Sequence, residues 1–211
     1  NGAAQTFLLG RTYINLKEHS YTGAWNAVKK ITLGSGDSSN EFEIKAGAFY
    51  EDKIRDFKAR NLGYVKSTPA FQTALPIDML FSPQNFNSRT GIRLDEQTNP
   101  NDSYTATNRL FAGYISGNYA IGNKFNVIAG VRAEHNSQKL NSADLVGKAI
   151  NYDNTRLDLL PSMNLTYNFT EKSLLRLAYG KTLNRPEFRE LAPFSFYDFV
   201  KREAIEYHER S

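Results

Sequence analysis

The clearest pattern in the sequence is an alternation of apolar and polar residues that begins near residue 157. The apolar positions Pro161, Met163, Leu165, Tyr167 and Phe169 alternate with Ser162, Asn164, Thr166 and Asn168. Because successive side chains of a strand point to opposite faces, this period of two predicts a strand with one apolar face. A polar break at 170–172 and a second alternating run from Leu175 to Tyr179 complete a predicted antiparallel hairpin.

The same alternation recurs along the chain. Residues 42–50 and 125–135 repeat it cleanly, and the charged stretch 51–58 keeps the parity of the strand before it. The runs at 5–16, 21–33 and 106–120 are also rich in β-forming residues, although their two faces are harder to assign. The sequence therefore predicts an all-β protein, an antiparallel up-and-down meander of about seven strands.

The segments between these strands differ in length in an ordered way. Short connections are predicted at 34–40, 121–124 and 170–172, whereas long ones are predicted at 61–103, at 137–155 and from 184 onward. In a meander, connections that alternate in this way place all the short turns at one end, as in outer-membrane barrels. Strands of about ten residues also match the hydrocarbon core of a bilayer. We therefore predict part of a transmembrane β-barrel wall.

The amino-acid composition excludes some kinds of site and partner. The chain has no cysteine, which excludes disulfides and thiolate metal sites. A net charge of +4 is too small to indicate a nucleic-acid partner. The mean hydropathy of −0.52 is compatible with a membrane barrel, since half of each strand faces a wet lumen.

Candidate binding residues follow from the parity of the strands. Arg132, Glu134 and Arg176 lie on the polar side of their strands and are predicted to point into a lumen. Such charges are either solvated or paired with a plug, or they contact a passing ligand. The three histidines lie far apart without metal-ligand spacing, and no hydrolase motif is present. The sequence therefore indicates no metal, no cofactor and no enzymatic activity.

The most specific run, YGKTLNRPEFRELAPF, occupies residues 179–194. It strongly resembles TonB-dependent outer-membrane receptors, especially those of Bacteroidetes-type bacteria. The stretches LPSMNLTY at 160–167, IAGVRAE at 128–134, AGY at 112–114 and FYEDK with FKAR within 49–60 are similar to the same family, so the resemblance covers most of 42–199. The motif residues are Asn184, Arg185, Pro186, Glu187, Phe188, Arg189 and Glu190. The four charges among them are interpreted as a network that structures a loop.

This resemblance implies a bacterial outer-membrane barrel of about 22 strands, closed by a plug domain. Such receptors import scarce nutrients with energy transmitted by TonB. The implied partners are outer-membrane lipid, the TonB complex through a plug domain absent from this chain, and a ligand that could be a siderophore, vitamin, oligosaccharide or peptide. We expect residues 1–200 to form part of the barrel wall and 201–211 to form a charged, helix-compatible tail.

Two other interpretations stay open at this stage. The chain could form a complete eight-stranded outer-membrane barrel with a structural or adhesive role. It could also form a soluble β-sandwich that binds a ligand such as a carbohydrate, in which case the apolar faces would meet in a dry two-layer core. Detergent partition would distinguish the sandwich from both barrels, and a plug-sized domain encoded upstream of Asn1 would distinguish the receptor from the small barrel.

Overall fold

The computed structural model describes residues 7–33, 40–122, 124–193, 196–198 and 203–205, and most of them form one curled half-barrel sheet. Its seven strands are β1 (Leu9–Leu33), β2 (Asn40–Lys66), β3 (Ile92–Glu96), β4 (Ser103–Ile121), β5 (Phe125–Ala143), β6 (Ala149–Thr170) and β7 (Ser173–Gly180). Two short strands, β8 (Phe196–Asp198) and β9 (Glu203–Ile205), pair only with each other. The helical segments are α1 (Ile77–Leu80), α2 (Phe188–Leu191) and the 3-10 turns Pro83–Asn85 and Pro100–Asp102.

The sheet is an antiparallel meander with the order β1-β2-β4-β5-β6-β7, and β3 is added to the far end of β2. Apart from β3, strands that follow one another in the sequence pair in space, which confirms the predicted all-β meander. Among the described residues, β1 pairs only with β2 and β7 only with β6. Those two strands are therefore the open edges of the sheet.

The strands are assembled differently from the prediction, although their number agrees with it. Residues 9–16 of the first predicted run and the whole of the run at 21–33 belong to one strand of 25 residues, because the polar residues between them continue the ladder with β2. The charged stretch 51–58 is strand, as predicted, and β2 extends for 27 residues. Strand β3 lies inside the segment 61–103, where a long connection without strands was expected.

The prediction of a spacer at 137–155 was wrong. Strand β5 continues to Ala143 and β6 begins at Ala149, so only residues 144–148 connect them. The Asp144 carboxylate accepts hydrogen bonds from the backbone N–H groups of Val146 and Lys148, and Gly147 supplies a φ of 84°. The turn predicted at 170–172 is present, and β4 and β5 are joined at 121–124 as predicted, whereas residues 34–39 and 123 lie outside the described part of the chain.

The convex face carries a continuous apolar band. The band continues from strand to strand because apolar residues pair with apolar residues, as in the transverse row of Ile115, Val131 and Pro161. Met163 and Leu175 on this face are 45% and 48% exposed, so no second layer of the described chain covers them. This contradicts the two-layer core that the soluble sandwich requires.

The band has the dimensions of a bilayer core. On β2 it extends from Phe42 to Tyr50, about 30 Å of strand at roughly 3.3 Å per residue. Aromatic pairs line its edge near the short turns, with ring centroids 6.0 Å apart for Phe42 and Tyr119 and 5.7 Å apart for Phe125 and Tyr167. Beyond the band, β2 continues to Lys66 with charged residues on both faces.

Gly47 allows one close contact on the concave face. The Tyr114 hydroxyl donates to Asn26 Oδ1 at 2.8 Å across this glycine. A Cβ at position 47 would lie 2.5 Å from Tyr114 Cε1 and 2.7 Å from the Trp25 carbonyl oxygen. We expect Gly47→Ala to destabilise the protein by about 1–3 kcal/mol, because the strand backbone cannot move away. Urea unfolding in detergent measures this, and Gly23→Ala, with no atom within 4 Å of its new Cβ, should leave the unfolding midpoint unchanged.

A bidentate ion pair joins β3 to β2 beyond the apolar band. Arg60 Nε and Nη2 donate to the two Glu96 oxygens at 2.9 and 2.7 Å. These hydrogen bonds, followed by one from the Thr98 hydroxyl at 2.8 Å, lower the pKa of Glu96 from 4.5 to about 2. A lowered pKa means that this pairing stabilises the β2–β3 contact above about pH 4.5 and is lost as the pH falls through about 2. We expect Arg60→Met to raise the pKa of Glu96 towards 4.5 in an NMR titration, with the Thr98 hydrogen bond keeping it below that value; an unchanged titration would contradict this cause.

The tail at 201–211 was expected to be compatible with a helix. Within it the structure describes only Glu203–Ile205, which are extended and pair with Phe196–Asp198. At these three residues the helical expectation is therefore wrong. The remainder of the tail lies outside the described residues.

Candidate functional site on the concave face

The concave face is built from transverse rows of side chains. Because paired residues of neighbouring strands point to the same face, the ladders place one residue of each strand in every row. One row contains Phe49, Ala112, Glu134 and Asp158, and an adjacent row contains Gly47, Tyr114, Arg132 and Leu160. Rows nearer the far end contain Lys53, Asn108, Gln138 and Asn154, then Phe57, Tyr104 and Ser142.

An ion-pair cluster occupies the middle of this face. Glu134 accepts from Arg132 Nε at 2.6 Å with one oxygen and from Arg185 Nη1 at 2.8 Å with the other. Arg185 Nη2 also lies 3.4 Å from Asp158 Oδ2. The Arg132 guanidinium lies 5.8 Å from the centre of the Phe49 ring. Two arginines and two carboxylates thus balance in charge, and the Glu134 side chain is only 10% exposed.

Residues 184–193, which we call the strap, lie against this concave face. Gln138 Nε2 donates to the Pro186 carbonyl oxygen at 2.9 Å, and Asn101 Nδ2 donates to that of Pro193 at 3.2 Å. Within the strap, the Glu187 N–H donates to the Glu190 carboxylate at 3.0 Å. This contact caps the start of α2, which is a single helical turn. Both ends of the strap are therefore fixed to the sheet by polar contacts.

The buried centre of the strap is apolar. Phe188 is 4% exposed and packs in a cluster with Phe57, Tyr104 and Leu140 of the wall, while Ala192 is 1% exposed. The Phe57 and Tyr104 rings stack with centroids 4.9 Å apart. Arg55 lies 5.1 Å from the centre of the Phe188 ring and pairs with Glu18 through Nε at 2.6 Å. This cluster is the main buried core of the described chain.

The predicted site residues meet only in part. Arg132 and Glu134 lie in the ion-pair cluster, together with Arg185 from the motif. Arg176 is placed elsewhere, since it pairs with Thr166 on β6 whereas Arg132 pairs with Leu160. Six residues of strand separate those rows, roughly 20 Å.

The motif residues form the strap itself. Its charges form structural contacts, in agreement with the predicted network: Arg185 binds the wall, Glu187 and Glu190 begin α2, and Arg189 Nε lies 3.8 Å from Glu187. Asn184 and Pro186 lie in the extended start of the strap. The sequence-based prediction missed Asp158 and Gln138. Asp158 shares the polar parity of its strand and could have been included on that basis, whereas Gln138 lies in the segment 137–155 that was predicted to be a spacer.

Glu134 and His135 cannot bind one metal ion together. They are adjacent in β5 and therefore point to opposite faces. Among the described residues, no group of three or more potential ligand side chains could hold a metal ion.

The comparisons with known proteins agree with this architecture. A family model described as the outer membrane protein beta-barrel family matches residues 77–199, more than half of the chain. The chain belongs to this family. The outer membrane protein beta-barrel family assignment identifies the convex band as the lipid-facing surface, the concave face as the interior of the barrel and the bacterial outer membrane as the location.

A comparison with curated proteins found no match. The helices of the described chain include none that is both long and apolar enough to cross a bilayer.

Proposed function

We propose that this chain forms part of the wall of a TonB-dependent receptor, which in its complete form binds a scarce nutrient and imports it across the outer membrane. The role is non-enzymatic. Two observations support the proposal beyond the family assignment: the resemblance of the sequence at 179–194 to such receptors, and the position of the strap, residues 184–193, on the concave face.

The strap is the observation that carries the proposal. An eight-stranded barrel has an interior just wide enough for side chains. Here the interior wall carries its own side chains and, in addition, a stretch of backbone with a helical turn at 188–191. A barrel wider than eight strands accommodates both more easily, and wide barrels with a filled interior are typical of energy-coupled importers, which supports the proposal.

The open edges of the sheet support the same conclusion. In a bilayer, an unpaired strand edge leaves backbone N–H and C=O groups without hydrogen bonds, which is costly in hydrocarbon. Since β1 and β7 each lack a second neighbour in the described chain, the proposed receptor supplies further strands that pair with them in the membrane. We infer that these strands, a plug domain and the contact with TonB belong to the complete receptor.

The second candidate is a small, complete outer-membrane barrel with a structural or adhesive role. The hairpin of β8 and β9 favours it, because two more strands would bring the six strands of the main path to eight. In the structure each of these two strands has only three residues, so both would have to lengthen to cross a membrane. The closed eight-stranded barrel would also have to leave its interior without space for the strap.

Growth under nutrient limitation tests the proposed import. Strains lacking either the complete gene or TonB would be grown with iron, cobalamin, an oligosaccharide or a peptide as the limiting nutrient. We expect the gene deletion to reproduce the TonB defect in one of these media, with no additional defect in the double mutant. A deletion phenotype that is additive with loss of TonB in every medium would support the small barrel instead.

A further inference from the structure

A cavity of about 170 Å³ lies between the strap and the concave wall. The strap contributes residues 185–188 to one side. The wall contributes Lys53 and Arg55 from β2, Asn108 from β4 and Gln138 from β5. A group bound there would contact the barrel wall and the strap at once.

The wall residues are brought together by the register of the sheet. Lys53 pairs with Asn108, and Asn108 pairs with Gln138, so these three side chains form one transverse row. Directly paired residues have Cβ atoms about 4.5–5.5 Å apart, which lets neighbouring side chains reach a common small group. Arg55 lies two residues further along β2 on the same face.

The cavity lining combines donors and acceptors. Asn108 Oδ1 accepts from Asn136 Nδ2 at 2.7 Å, which directs the Asn108 NH₂ group to other partners. The Gln138 NH₂ group already donates to Pro186, and Glu187, which lies 3.8 Å from Arg189, adds one carboxylate to the lining. In the described part of the chain, Lys53 Nζ has no carboxylate within the 4.0 Å of a salt bridge, and the neighbouring Glu51 accepts from the Ser20 hydroxyl at 3.5 Å. Lys53 is therefore the lining cation without a salt bridge among the described residues, because Arg55 pairs with Glu18 and Arg185 pairs with Glu134.

We propose that this cavity binds an oxyanion, a carboxylate or phosphate group, with Lys53 as its principal cationic contact and Asn108 as a neutral donor. Charge-assisted hydrogen bonds to an ammonium are about twice as strong as neutral ones, and the half-enclosed position between wall and strap limits their screening by water. This inference rests on the proposed function in one respect: the oxyanion is taken to be part of the ligand that the receptor imports.

Calorimetric titration of the intact, detergent-solubilised protein at low salt tests this site. Inorganic phosphate and acetate are the probes, and they distinguish phosphate from carboxylate recognition. We expect saturable binding of at least one probe, weakened at least tenfold by Lys53→Met and weakened by added salt. Lys45→Met is the matched control on the same strand and face, because Lys45 Nζ already lies 3.0 Å from Glu43; it should change the affinity less than twofold.

The outcomes separate the hypotheses. Absence of saturable binding of both probes to the unmodified protein, or equal weakening by the two lysine variants, would overturn the oxyanion site. Heat-modifiable mobility on SDS gels reports whether each variant is folded, and Lys53→Gln replaces Lys53→Met if the latter does not fold. Binding that depends on Lys53 in a protein whose deletion gives no import defect would reject the proposed function and leave the oxyanion site standing.

Discussion

Lysine at Val131 is expected to destabilise the protein by about 2–4 kcal/mol, and lysine at Leu165 by less than lysine at Val131. Both residues lie on the convex apolar band: Leu165 pairs with Val127 and Leu177, and Val131 pairs with Ile115 and Pro161. A lysine at 131 would place an ammonium group in hydrocarbon near the middle of the membrane, whereas Leu165 lies two residues from Tyr167 at the aromatic edge of the band. Urea unfolding of the complete protein in lipid vesicles measures the loss directly.

The matched control is Asn164→Lys. Asn164 is adjacent to Leu165 in β6, is exposed and points to the concave face, where a lysine meets water. We expect its unfolding free energy to stay within about 0.5 kcal/mol of that of the unmodified protein, as for most surface substitutions. Equal stability of all three variants would show that the convex face does not contact lipid.

The apolar alternation predicted the membrane-embedded part of the sheet well, because contact with lipid imposes one apolar side chain at every second position. Over 125–133 and 161–169 the predicted outward residues are those on the convex face of the structure. The prediction of the short turns at 121–124 and 170–172 succeeded for the same reason, since the alternation stops there.

Beyond the membrane the same signal disappears. At 137–143 and 149–155 polar residues predominate on both faces apart from Leu140 and Tyr152, which lie in or against the apolar cluster under the strap, and the sequence there resembles a loop although the hydrogen-bonded ladder continues. The polar residues in this region show that the strands have left the membrane, and they do not mark the ends of the strands. The continuation of β2 through 51–58 was predicted correctly because its charges keep strand parity.

The strap could not be placed from the sequence. Its contacts join Arg185 to Glu134 and Gln138 to Pro186 across about 50 residues of chain, and no local pattern encodes such pairing. The one available signal was an apolar residue, Phe188, between charged neighbours. The prediction for Arg176 failed for a different reason. The alternation placed its side chain on the correct face of the sheet, but it gave no information about which transverse row the residue occupies.

Phe188→Ala is expected to remove about 3–5 kcal/mol from the docking of the strap on the barrel wall, the usual cost of truncating a buried phenylalanine. Phe188 is the central buried side chain that the strap contributes to the cluster with Phe57, Tyr104 and Leu140. Without it, the polar contacts of Arg185 and Pro186 would have to hold the strap alone. Hydrogen exchange at residues 185–192 in the purified protein should then become faster by two or more orders of magnitude, because about 1.4 kcal/mol corresponds to a factor of ten.

Arg189→Ala is the appropriate control, since this side chain is 58% exposed and its nearest carboxylate is that of Glu187, within the strap. We expect it to leave exchange in the strap nearly unchanged. The β4–β5 ladder supplies an internal reference in both variants, because its hydrogen bonds do not depend on the strap. If Phe188→Ala accelerates exchange equally in the ladder and in the strap, the strap is an integral part of the wall and not a separately docked segment.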